Sequence, residues 1–165
     1  MDRLWAPWRL SYVTAPPAPS TDCIFCDACA SREADLVLLR GQHSFVILNL
    51  YPYNNAHLMV VPNRHLCALE TLTLDEQAEL MRFARLSEMA LTEVYHPQGI
   101  NVGINLGKAA GAGIDNHLHI HLVPRWAGDT NFMTAIGETR VLPEDLTATA
   151  ARLRPVFERL DRAGA

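Results

Sequence analysis

Three histidines at alternate positions, His117, His119 and His121 in His-Leu-His-Ile-His-Leu-Val-Pro, are the residues whose spacing speaks most directly of chemistry. In an extended strand positions i, i+2 and i+4 share a face, so the imidazoles line one side and Leu118, Ile120 and Leu122 the other. At ~3.3 Å per residue, neighbouring imidazoles stand about 6.6 Å apart at their bases and the outer two about 13 Å apart. One metal ion cannot gather all three. A neutral imidazole with a pKa near ~6.5 is a competent nucleophile, and at phosphorus it forms a phosphoramidate that a second nucleophile can open. Immediately ahead of the row lies Asn105-Leu106-Gly107-Lys108-Ala109-Ala110-Gly111-Ala112-Gly113. Its glycines let backbone N–H groups converge on an anion, and Lys108 adds a positive charge. Such a composition also fits a plain hairpin loop; its place beside the histidines is what points to phosphate.

Elements must hold these groups. Short apolar, β-branched runs between turn residues predict five strands, over 35–40, 43–50, 56–62, 100–106 and 117–124. The turns Gly41-Gln42 and 51–55 are short enough for the first three strands to form an antiparallel meander. Thr73 and Glu76 make a capping box, Leu80, Phe83, Leu91 and Val94 follow a helical stripe, and Pro97 comes after, which together predict a helix over 73–95. A second helix is expected over 144–162, with Pro155 kinking or dividing it. The order β-β-β-α-β-β-α predicts an α+β fold, a five-stranded antiparallel sheet with two helices on one face.

With 165 residues, 49% of them apolar, the chain can bury one core. Residues 1–22 read as an N-terminal arm bearing Trp5, Trp8 and Tyr12 followed by a Pro-rich connector, and 23–165 as a single domain. So much aromatic area in a short arm predicts docking on the body or on a second subunit. The net charge of −4 offers no electrostatic footprint for nucleic acid or a membrane surface. No run approaches a spanning helix, and Arg3, Pro7 and Arg9 interrupt what would be a signal-peptide core, so a cytoplasmic location is expected. In that setting Cys23, Cys26, Cys29 and Cys67 are expected to be reduced, and the first three, within seven residues, suit metal or redox chemistry.

The run His117-Leu118-His119-Ile120-His121-Leu122-Val123-Pro124 resembles the signature of the histidine triad (HIT) superfamily. The resemblance extends from Cys23 through Asn49-Leu50-Tyr51-Pro52-Tyr53-Asn54-Asn55-Ala56-His57 to Arg125-Trp126-Ala127-Gly128-Asp129. The pairing of Leu4-Trp5-Ala6-Pro7-Trp8-Arg9 with Pro124-Arg125-Trp126-Ala127-Gly128-Asp129-Thr130-Asn131-Phe132 resembles the bacterial diadenosine tetraphosphate phosphorylase branch. It implies a HIT-like fold and nucleotidyl transfer at the α-phosphate of a dinucleoside polyphosphate, by phosphorolysis with inorganic phosphate as co-substrate or by hydrolysis. It assigns attack to His119, phosphate contact and leaving-group assistance to His121, and orientation of the nucleophile to His117. Asn49 falls at a ribose-binding place, His57 at another site-facing position, and Ile47 and Met59 in a base pocket; Asn105, Lys108, Gly111 and Gly113 would contact phosphate. Two departures stand out: Ala112 and Gly113 replace the family's usual Gly followed by Gln or Ser, and Ala56 replaces a usual glycine. A homodimer with sheets meeting edge to edge is also implied. A nucleotide-binding protein with little turnover, or a zinc-stabilised interaction module, would keep its properties after His119→Ala; an enzyme would not.

Cys23-Ile24-Phe25-Cys26 lets two thiolates reach one Zn²⁺ but supplies half of a four-ligand site. Resemblance to zinc-containing HIT proteins implies a structural zinc held by Cys23, Cys26, His65 and His117, in an N-terminal zinc-binding arm. Cys29 repeats the spacing and is an alternative ligand; ordinary thiols are the other reading. Cys67 is expected to be a small core residue.

Overall fold

The computed structural model describes residues 23–31, 35–129 and 144–164. The Trp5/Trp8 arm, its Pro-rich connector and Thr130-Asn131-Phe132 lie outside them.

Strands β1 (Val37–Arg40), β2 (Ser44–Leu48), β3 (Leu58–Pro62), β4 (Gly99–Ile104) and β5 (Ile120–Arg125) form one sheet in the order β1-β2-β3-β5-β4. Every neighbouring pair is antiparallel, and the first three strands are the expected meander. β5 enters between β3 and β4, so the strand that carries the end of the histidine row is interior. β5 begins at Ile120 rather than at residue 117. His117 to His119 leave the ladder because Leu118 N–H bonds the Leu66 carbonyl, at 2.6 Å, in the segment after β3.

Alternation sorts the side chains as the period-two pattern requires. Val46 and Leu48 of β2, Leu58 and Val60 of β3, and Ile120 and Leu122 of β5 face a core closed by α2 (Leu74–Tyr95) and α3 (Leu146–Arg162). These helices supply Leu80, Phe83, Leu86, Leu91, Leu153 and Phe157, each stabilising by about 1.5–3 kcal/mol on full burial. On the opposite face, Phe45, Ile47, Met59 and Val61 gather around Phe25 of a short helix α1 (Ile24–Ala30). That third helix was not expected. It has no side-chain N-cap, so no local start signal marks it; burial of Phe25 and the Arg40 guanidinium, donating to the carbonyls of Ala28, Cys29 and Ser31 at its C-terminus, hold it.

α2 begins as read. Glu76 N–H donates to Thr73 Oγ1 (3.2 Å), Thr73 N–H donates to Glu76 Oε2 (2.7 Å), and Arg64 adds two 2.8 Å contacts to the same carboxylate. Arg64 first, then the Thr73 backbone, hold the Glu76 carboxyl down at about 2. α2 also anchors the β1–β2 turn: Glu79 accepts Gln42 N–H, His43 N–H and the Ser44 hydroxyl. Pro155 does not divide α3, which runs unbroken because Leu153, Phe157 and Leu160 on both sides of it are buried in one core. Cys67 is exposed, contrary to its expected core place, because it sits in the connection between β3 and α2. Among the described residues no helix is long and apolar enough to cross a membrane.

Candidate active site

The sheet face opposite α2 and α3 brings four histidines together. His57, His117, His119 and His121 are all buried, and the His119 and His121 rings meet edge to face with centroids 4.6 Å apart. Hydrogen bonds fix which nitrogen of each ring carries the proton, since a carbonyl oxygen only accepts and a backbone N–H only donates. His119 Nδ1 lies 2.8 Å from the His117 carbonyl and therefore donates to it, which leaves the lone pair on Nε2. His57 Nδ1 accepts Tyr53 N–H (3.1 Å) and stands 3.2 Å from Asn49 Nδ2. Its proton is therefore on Nε2, which donates to His121 Nδ1 at 2.9 Å. His121 in turn carries its proton on Nε2. The site thus presents one imidazole with a free nucleophilic nitrogen beside another with a fixed N–H donor.

Burial sets the charge state. It lowers the pKa of His119, an effect partly offset by the His117 carbonyl, and with the neighbouring His119 it pushes His121 down to about 4. Both rings are neutral near pH 7, as an attacking lone pair requires.

His117 faces the other way. Its Nε2 donates to the Pro62 carbonyl (2.9 Å), so its Nδ1 lone pair points at Cys23 Sγ (3.2 Å) and Cys26 Sγ (3.7 Å). Cys26 Sγ is also 3.3 Å from His65 Nδ1, and the four donor atoms lie within 4.8 Å of one another. Donors about 2.3 and 2.0 Å from a tetrahedral centre stand roughly 3.5 Å apart, so the set fits one Zn²⁺-like cation. Burial, and next Cys23, push the Cys26 thiol up to about 11. Cys29 stands outside this group, with its Sγ 3.5 Å from Asn63 Oδ1.

The remaining candidates divide. Ile47 and Met59 are register partners on the histidine face, Met59 pairs with His121, and both are buried in one cluster with Phe25. Asn49 holds the β2–β3 loop, accepting Tyr51 N–H at 3.0 Å while its amide reaches His57. The loop after β4 carries Gly107 and Gly111, both with positive φ and the second left-handed, around a 3₁₀ turn (Lys108–Ala110), whose Lys108 is exposed and 3.9 Å from Asp115. Gly113 is exposed on the same loop and Asn105 half-buried. Ala56 adopts φ +55°, the conformation for which a glycine is the usual choice.

Two groups went unread in the sequence. Phe25 packs against the rings of His117 and His119, with centroids 5.4 and 5.0 Å away. Its position between two ligand-spaced cysteines was the available signal. Tyr53 lies over His57 and His121, at 4.7 and 5.7 Å, and gives the backbone N–H that sets their tautomers; a turn residue between Pro52 and Asn54 carries no such mark.

Comparison with known proteins agrees with this geometry. The HIT domain family matches residues 31–128. Over 167 aligned positions the chain is 42% identical to a Mycobacterium tuberculosis protein named AP-4-A phosphorylase, covering 96% of this chain and 86% of that one. A Dictyostelium discoideum bis(5'-adenosyl)-triphosphatase is 31% identical across 70% of this chain and 80% of its own length. Among solved structures, a Zn-bound histidine triad family protein from Mycobacterium smegmatis superposes with a TM-score of 0.70 at 26% identity, over 86% of this chain and 97% of its own. With a family match across more than half its length on a sheet that brings the three histidines together, the chain belongs to the HIT domain family.

Proposed function

We propose that this HIT-family enzyme cleaves a dinucleoside polyphosphate of the diadenosine tetraphosphate type by nucleotidyl transfer to His119, with inorganic phosphate as the acceptor. The observation that carries the reading is the pairing of a free His119 Nε2 with a fixed His121 Nε2–H. His119 Nε2 forms a bond to the α-phosphorus while the bond to the bridging oxygen breaks, and the electron pair leaves on a nucleoside polyphosphate stabilised by the His121 N–H. The His119 ring keeps its Nδ1 proton on the His117 carbonyl, so the intermediate is a phosphoryl-imidazolium, a good leaving group for the second step. A phosphate oxygen then bonds to phosphorus, the P–N bond breaks, and His119 returns to its neutral form. Diadenosine tetraphosphate plus phosphate gives ATP plus ADP.

In this reading Asn105, Lys108 and the N–H groups around Gly111 and Gly113 contact phosphate, Asn49 the ribose, and Ile47 and Met59 the base. The kinship to AP-4-A phosphorylase favours phosphate over water as acceptor, whereas the triphosphatase relative favours hydrolysis. Incubation of enzyme and diadenosine tetraphosphate with and without phosphate separates the two: ADP and ATP forming only with phosphate supports phosphorolysis, and AMP with ATP in its absence overturns it. Cys23, Cys26, His65 and His117 hold a structural Zn²⁺, which fixes α1 and the His117 ring without entering the reaction. The enzyme works in the cytoplasm as a homodimer, independent of nucleic acid and membranes; the outer edge of β4, one of the two terminal strands, is the proposed contact.

A further inference from the structure

The fixed proton on His121 depends on the loop that presents Tyr53, and that loop is tied down by the turn after β5 at the same end of the sheet. Asp129, in the turn after β5, accepts Asn54 Nδ2 (2.8 Å), Arg125 Nε (2.6 Å) and Trp126 N–H (3.2 Å) on one carboxylate oxygen, and Arg125 Nη2 (3.0 Å) on the other. Asn54 also donates to the Pro124 carbonyl (3.0 Å) and accepts Asn55 N–H (3.1 Å). Arg125 reaches across to Asn101 of β4 (3.0 Å). The Asp129 side chain is only 9% exposed, so its charge is met by these donors rather than by water. Asn54 adjoins Tyr53, whose N–H, together with the Asn49 amide, meets His57 Nδ1 and so sets the tautomer of His57 and hence of His121.

We propose that Asp129, acting through Asn54, is a positioning residue for leaving-group departure: it locks the β2–β3 loop so that Tyr53 N–H holds His57, and His57 holds His121, in the single tautomer whose Nε2–H faces the bridging oxygen. The kinetic part rests on the nucleotidyl-transfer reading above; the tautomer part does not. Loss of the clasp lets the Tyr53 N–H wander from His57 Nδ1 and leaves the Asn49 amide as the donor there, so both rings sample the other tautomer more often while His119, held by the His117 carbonyl, keeps its own.

The test is imidazole ¹⁵N NMR of the full chain, wild type against Asp129→Asn, together with kinetics on two substrates. In wild type His57 and His121 show the Nε2–H pattern; in Asp129→Asn their nitrogens shift toward the averaged position while those of His119 do not move. On diadenosine tetraphosphate kcat falls about tenfold at similar KM, while on the nitrophenyl ester of AMP, whose leaving group needs no hydrogen bond, it falls less than threefold. Unshifted His57 and His121 resonances overturn the proposal, as does an equal loss on both substrates. Absence of turnover on either substrate in wild type would instead defeat the nucleotidyl-transfer reading and leave the NMR result to decide the clasp. If Asp129→Asn does not fold, Asn54→Ser, which removes the amide donors to Asp129 and Pro124 together with the acceptor of Asn55 N–H, is held to the same outcomes.

Discussion

His119 and His121 are two identical side chains given opposite roles by one hydrogen bond each. The His117 carbonyl takes the Nδ1 proton of one, and His57 fills Nδ1 of the other. Burial that keeps them neutral also ties stability to pH. An unfolded histidine binds a proton below about 6.5, whereas folded His121 resists until about 4. Between those values the unfolded chain holds more protons, so stability rises with pH. The denaturation midpoint should therefore be level above pH 7 and fall steadily from pH 6.5 to pH 4.5, and His121→Asn should flatten that slope; a midpoint insensitive to pH over this window would contradict the burial reading. The row was legible in the sequence because period-two alternation is a local property. The direction of each proton was not, since it depends on partners such as His57, 64 positions from His121.

Among the elements, those marked by local chemistry were readable. The capping box fixed the start of α2, the short turns fixed the meander, and alternation fixed which side of β2, β3 and β5 faces the helices. α1 escaped because its support is distant: the β2 and β3 side chains that bury its Phe25, and Arg40 at its end, come from tertiary packing rather than from a cap. The β1–β2 turn shows how closely elements meet. A Cβ on Gly41 would stand 2.6 Å from Glu79 Oε1 and 2.7 Å from the Phe83 ring, which is buried in the core and cannot yield. Gly41→Ala should cost about 1–3 kcal/mol in urea unfolding, the range of an overpacked site; a loss below about 0.5 kcal/mol would mean that the turn moves freely away from α2.

At the scale of the whole molecule the sheet divides its labour. One face buries the core against α2 and α3; the other carries the histidines, closed at one side by α1 with its cysteine–histidine cluster and at the other by the β2–β3 loop. Because the main core does not involve the cluster, metal removal should loosen α1 without unfolding the sheet. Purified protein should contain one Zn²⁺ per chain, and Cys23→Ser well below one. Chelation should lower the Tm by several degrees and expose Cys23 and Cys26 to thiol reagents while circular dichroism keeps the strand signal. Protein that is metal-free as purified, with unchanged Tm and full activity, would contradict a structural zinc. The same two-faced plan puts Ile47 and Met59 on the histidine side of the sheet: that side was legible from alternation, whereas the packing of Phe25 of α1 with them was not.

Quenching the enzyme during turnover of diadenosine tetraphosphate without phosphate and mapping the adduct by mass spectrometry tests the role of His119 most directly. One adenylyl group on the peptide that carries His119, absent in His119→Ala together with at least about a thousandfold of the activity, is the predicted result. An adduct on another residue, or turnover that survives His119→Ala, would contradict it.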